Sequence, residues 1–92
     1  MTRRLIYRVH AIKRMFERGI NPTDVRRVLE SGEVIEEYPD DTFFPSRLVL
    51  ANIEGRPLHV VAADNPVGDE TYIITVYEPD SQQWDPSFRW RT

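Results

Sequence analysis

Apolar residues in the first third of the chain recur with a helical period. Over residues 9–18, "VHAIKRMFER", a step of about 100° per residue puts Val9, Ile12, Met15 and Phe16 on one side. His10, Lys13, Arg14, Glu17 and Arg18 fall on the other. That pattern predicts an amphipathic helix with the first set buried, stopped by Gly19, after which Ile20 folds back onto the apolar side. "NPTDVRRVLESG" repeats the signal with its own punctuation. Asn21 is the candidate cap, with Thr23 competing, Pro22 suits the first turn, Val25, Val28 and Leu29 form the buried stripe, and Gly32 closes the helix. The two helices read as an αα-hairpin with a very short connection.

From Gly32 onward the period changes to two. "EVIEEY" is a strand ended by the turn-rich "PDDTFFP", and "SRLVLANIE" and "PLHVVAAD" flank Gly55-Arg56, the expected hairpin turn. "ETYIITVYE" follows the "NPVGD" loop as the fourth strand. The middle strands are apolar on both faces and belong at the sheet centre. In the tail, Trp84 and Phe88 stand four apart and could cover the sheet from a last helical turn. The fold expected is α+β: two N-terminal helices packed on a four-stranded, mainly antiparallel sheet, with a short C-terminal helical turn.

Composition narrows the function classes. Ninety-two residues make a single domain, 1–92, and 40% hydrophobic residues supply a small core. No cysteine is present, and His10 and His59 stand far apart in sequence, so neither a metal nor an organic cofactor is expected. No apolar run is long enough for a signal peptide or a membrane span, which points to a cytoplasmic protein without a membrane partner. The net charge of −3 conceals an asymmetry. Eight Lys/Arg in residues 1–27 against Glu17 and Asp24 give +6, so the remainder carries −9. A locally basic face is what phosphate attraction requires; self-neutralisation against the acidic remainder is the other use of the same charges.

Several side chains could carry chemistry. With Gly55-Arg56 as the turn, Asn52 faces His59, Leu50 faces Val61, Leu48 faces Ala63, and Arg47 faces Asp64 as a structural ion pair. His59 is then either a core histidine satisfied by a hydrogen bond or a general acid/base in a groove on the sheet. In strand four, Ile73, Thr75 and Tyr77 share one face and Tyr72, Ile74, Val76 and Glu78 the other; Tyr77 could stack a base, donate a proton or simply pack. His10, Arg14 and Arg18, at i, i+4 and i+8 with Lys13 beside them, form one stripe. Arginine can brace a developing phosphorane and histidine can move the proton in a 2′-hydroxyl attack. The same stripe is also an ordinary solvated helix surface.

"HAIKRMFERGI" at 10–20, "VRRVLESGEVIEEYPDD" at 25–41, "GRPLHVVAAD" at 55–64 and "ITVYEPD" at 74–80 together closely resemble a bacterial domain-of-unknown-function family. Its members resemble the RelE, HigB, BrnT and MqsR group of type II toxins and often stand beside a small zinc-finger protein resembling an antitoxin. The resemblance implies a RelE-like fold, with helices on one side of a curved sheet and RNA handled on the other. It also implies a toxin acting as a metal-independent endoribonuclease, an mRNA interferase, on RNA that is free or on the ribosome. Carried onto this chain, it makes His10 the proton-transfer group, Arg14 the transition-state clamp, Lys13 and Arg18 the RNA contacts, and Tyr77 or His59 a secondary acid/base. The partners implied are RNA and a zinc-finger antitoxin-like protein, with the chain a monomer or weak dimer. The rival reading is a non-catalytic protein-interaction module, a degenerate toxin fold. The readings divide on whether His10 and Arg14 open onto one groove with Tyr77 or His59.

Overall fold

In a computed structural model, which describes residues 3–40 and 44–92, the chain runs β1 (Arg4–Tyr7), α1 (Val9–Arg18), α2 (Pro22–Ser31), β2 (Glu33–Tyr38), β3 (Ser46–Ile53), β4 (Arg56–Asp64) and β5 (Glu70–Tyr77). The class is the expected α+β, but the sheet is five-stranded and mixed, in the order β1-β5-β4-β3-β2. The added strand is the N-terminal "RLIY", which pairs parallel with β5 from Arg4 opposite Glu70 to Tyr7 opposite Ile73. Four residues are too few for a periodic signal. Their strand character comes from the pairing itself and from Arg3, whose guanidinium donates to the Thr71 hydroxyl (2.8 Å) and the Glu70 carbonyl (2.5 Å). The turn-rich loop expected at 39–45 falls in part on residues 41–43, outside the described residues.

The β3–β4 hairpin turns on Glu54-Gly55, not on Gly55-Arg56. Both residues have positive φ (54° and 82°), as a two-residue turn matching strand twist requires. The register therefore shifts by two: Leu50 opposes His59, Asn52 opposes Pro57, Leu48 opposes Val61 and Arg47 opposes Ala62. A shift of two keeps every side chain on its expected face. Arg47 still reaches Asp64 (3.2 Å), now across a diagonal. In β5 the pairing slips between Val61 and Ala62, leaving Ile74 as the extra residue of a bulge. The alternation is broken there. Ile73 and Val76, assigned to opposite faces by strict alternation, both enter the core beneath the helices.

That core unites Ala11, Met15, Ile20, Val25 and Val28 from the helical segment with Val49, Ala51, Ile53, Leu58, Val60, Ala62, Ile73 and Val76 from the sheet. α1 lies against β5, and α2 against β3 and β4. α2 begins as expected: the Asn21 side chain accepts from the Asp24 N–H (2.9 Å), and Asp24 accepts from the Asn21 N–H (3.2 Å). Gly32 ends the helix for another reason than a left-handed cap. Its φ is −83°, and a Cβ there would meet the Val28 carbonyl, the Val49 side chain and the Leu50 carbonyl.

α1 departs most from its predicted orientation. Ala11 and Met15 are its buried residues, whereas Val9, Ile12 and Phe16 are 82%, 54% and 78% exposed. The core-facing direction passes between Ala11 and Met15, roughly a quarter-turn from the larger apolar stripe. Small Ala11 allows close approach to the sheet. Arg56, at the start of β4, donates to the carbonyls of Arg18 and Gly19 and pairs with Glu78 (2.7 Å), fixing the C-terminal end of α1. No helix among the described residues is long and apolar enough to cross a membrane.

Candidate functional site

The predicted stripe is fully displayed to solvent. His10, Lys13, Arg14 and Arg18 are all exposed on α1. Most other cations have structural employment: Arg3, Arg4, Arg27, Arg47, Arg56, Arg89 and Arg91 form ion pairs. Arg26 donates to the Arg3 carbonyl (3.1 Å), and Arg8 lies 5.8 Å over the Tyr72 ring. The side chains of Lys13, Arg14 and Arg18 have no partner among the described residues. Glu17, four positions after Lys13, is not bonded to any of them among the described residues. Among the described residues, no carboxylate pairs with the cations of this helix.

His59 sits across the sheet. β4 alternates Leu58, Val60 and Ala62 into the helix-side core, so His59 projects from the opposite face. It is completely buried, and both ring nitrogens are engaged. Nε2 lies 2.9 Å from the Phe88 carbonyl, which can only accept, so Nε2 carries the proton; Nδ1, 3.2 Å from the Tyr77 hydroxyl, then accepts from it. Trp84 closes the site edge-on, 4.5 Å from the imidazole. Burial pushes the imidazole below its ordinary value; the Phe88 carbonyl and the Glu36 carboxylate, which favour the charged form, do not offset it. Burial likewise raises the Tyr77 phenol.

The cover over His59 is the C-terminal segment, folded as a closed loop where a helical turn was expected. Asp85 organises it by accepting from the N–H groups of Arg89 and Trp90 (both 3.0 Å) and the Ser87 hydroxyl (2.7 Å). These bonds hold its carboxyl down at about 2, the Trp90 N–H first among them. Phe88 adopts φ 60°, which a helix excludes, and Trp84 bridges to Arg91. Two ion pairs fasten the loop to β2, Arg89–Glu33 (2.9 Å) and Arg91–Glu36 (3.1 Å), while Arg91 also lies 4.5 Å over the Trp84 ring. Burial would raise Glu36, but the Tyr38 hydroxyl (2.5 Å) and Arg91 hold it below the usual range; burial and the Glu36 carboxylate push Tyr38 up to about 12 against the opposing charge of Arg91.

Two groups of polar residues thus stand on opposite sides of the sheet. His10, Lys13, Arg14 and Arg18 share one convex, open helix surface. His59 and Tyr77 meet each other beneath Trp84 and face none of the first set. The Glu36–Tyr38–Arg91 cluster went unread in the sequence because Arg91 reaches Glu36 only once the tail has folded back, across 55 positions. Among the described residues, no group of three or more His, Asp or Glu side chains could hold a metal ion. Comparison with curated proteins and with solved structures gives no match. The sequence profile of one family matches residues 7–78, most of the chain, and on that match the protein belongs to the family described as domain of unknown function (DUF4258).

Proposed function

We propose that the chain is a cytoplasmic, non-catalytic interaction module, a RelE-like toxin fold used to bind a small antitoxin-like protein. One observation carries this reading: α1 offers solvent three large apolar side chains, Val9, Ile12 and Phe16, with Lys13 beside them, none of which its packing on the sheet uses as core. Contiguous exposed apolar surface of this kind marks a contact site. Among the described residues, His10 and Arg14 stand on the opposite side of the sheet from His59 and Tyr77. His59 is locked neutral between Phe88 and Tyr77, with no lone pair or proton left for a substrate.

Metal-independent endoribonuclease activity is the second reading, favoured by the exposure of His10 within the cationic surface. A single experiment separates the two. The purified chain is incubated with single-stranded RNA and chelator, alone and with ribosomes, beside the His10→Ala/Arg14→Ala variant. The interaction reading expects intact RNA in every arm and unimpaired growth of cells expressing the chain. RNA cleavage by the parent that the folded double variant lacks would overturn it in favour of the nuclease.

A further inference from the structure

Residues 80–92 form a closed unit laid on the sheet. Among the described residues, their backbone hydrogen bonds stay within the segment: Gln83 and Trp84 donate to the Asp80 carbonyl, Asp85 to Trp90, Phe88 to Asp85 and Thr92 to Gln83. The segment is fastened to the sheet through the Arg89–Glu33 and Arg91–Glu36 ion pairs, the Trp84 ring against the imidazole and the Phe88 carbonyl on Nε2. Both arginines are largely in water, where such pairs hold weakly. Trp84 is no part of the core beneath the helices, so lifting the segment leaves that core packed. We infer that residues 80–92 are a strap held shut by the neutral imidazole of His59, which swings off the sheet as a unit when that ring is protonated and uncovers His59, Tyr77 and Glu36 together.

The closed form needs a neutral ring. Nε2–H donates to the Phe88 carbonyl and Nδ1 accepts from the Tyr77 hydroxyl, so a second ring proton meets the phenolic hydrogen already aimed at Nδ1. The groups facing the ring are Tyr77 from β5, Glu36 from β2 and Arg91 from the strap, with Leu50 opposite it on β3. Burial beneath Trp84 opposes the charged form most, and Arg91 adds a like charge. Glu36 attracts it, but that carboxylate already accepts from Arg91 and the Tyr38 hydroxyl. Opening the strap returns the imidazolium to water. The other fastenings do not titrate with it. Arg89 holds Glu33 below the ordinary carboxylate value, and Glu36 and Asp85 are depressed as well, so all three stay ionised at about pH 5. Below the ordinary imidazole value of 6.5, the ratio of open to closed strap therefore grows by up to about tenfold per pH unit.

The test uses the full chain with Trp90→Phe, which leaves Trp84 as the single tryptophan. Acrylamide quenching of Trp84 and far-ultraviolet circular dichroism are followed from pH 7.5 to 5, with the His59 ring proton followed by NMR. Quenching should climb by about threefold or more while the circular dichroism holds, and His59 should take up its proton over the same interval. His59→Gln, whose amide can donate to Phe88 and accept from Tyr77 without titrating, should stay closed throughout; His10→Gln should leave the rise unchanged. Flat quenching down to pH 5 overturns the inference. So does loss of the circular dichroism in step with the quenching, which makes the event unfolding of the whole chain. A rise that survives His59→Gln, or that vanishes in His10→Gln, also overturns it. Where His59→Gln fails to seal at pH 7.5, the parent decides: separate midpoints for His59 protonation and Trp84 exposure defeat the inference, and a shared one supports it.

Discussion

Replacing His59 with alanine removes a side chain that is 0% exposed and joins three parts of the molecule at once. The loss has separable contributions. Truncating a large buried side chain costs about 2–4 kcal/mol through lost contacts and a residual cavity. The Tyr77 hydroxyl and the Phe88 carbonyl each lose a neutral hydrogen bond, about 1 kcal/mol apiece. The edge-on contacts with Trp84 (4.5 Å) and Tyr77 (5.2 Å) are already within the cavity contribution and add nothing, so the net expectation is about 4–6 kcal/mol. A chain of this size is stable by about 5–14 kcal/mol in total, so the variant would be marginal and its Tm lower by roughly 15–30 °C. Urea unfolding followed by circular dichroism and tryptophan emission measures the change. Trp84 is buried and Trp90 largely exposed, so a red shift in the folded variant would report loosening of the cover over position 59. Tyr77→Phe, which deletes only the hydroxyl, should cost about 1–2 kcal/mol and keep the Trp84 environment. A His59→Ala protein within about 0.5 kcal/mol of the parent would refute the assignment of His59 as a structural pin.

Stability should also depend on acid in two separate windows. The His59 imidazole is depressed in the folded state, so its contribution is complete above the ordinary value of 6.5 and is lost as pH falls below it; a unfolding series from pH 7 to 5 should show this fall, and Tyr77→Phe should not abolish it. Asp85, held at about 2 against an ordinary 3.8, contributes above 3.8 and loses that contribution as pH drops toward 2, while Asp85→Ala should raise acrylamide quenching of Trp84 already at neutral pH. Gly32→Ala should destabilise by more than about 2 kcal/mol, because the new methyl meets the Leu50 carbonyl at 2.8 Å and the Val49 side chain at 2.7 Å. Gly19→Ala, at φ 63° with open space around it, should cost only about 1 kcal/mol; equal effects in thermal melts would contradict the distinction.

Local rules were legible where local bonds decide the outcome. The Asn21 cap, Pro22 in the first turn and the strand character of residues 33–38, 46–53, 56–64 and 70–77 are each determined within a few residues. What the sequence concealed depends on distant partners. β1 is a strand because β5 is beside it, and the tail is a loop held down by ion pairs of Arg89 and Arg91 with Glu33 and Glu36 on β2. The bulge at Ile74 defeated strict alternation by adding one unpaired residue. For the candidate site, residue identity was readable but placement was not. A helical wheel groups Val9, Ile12, Met15 and Phe16 together, yet the sheet accepts only the edge of that arc, where Ala11 lies. Position in the alternation of β4 set His59 opposite the helices, and no property of the basic stripe could reveal that.

The parallel pairing of β1 with β5 constrains when the fold can be completed. Arg4 must wait for Glu70, 66 positions later, so β1 is seated only after β5 has formed. The β3–β4 hairpin, closed by a two-residue turn, has the shortest loop to form and can assemble while most of the chain is still fluctuating. The seal over His59 comes later still, since it needs Trp84, Phe88 and Arg91 from the segment beyond β5. The sheet face bearing His59 and Tyr77 therefore stays open to water until the segment carrying Trp84, Phe88 and Arg91 folds back over it. A nascent chain passes through a state whose imidazole is accessible, and the finished molecule closes it.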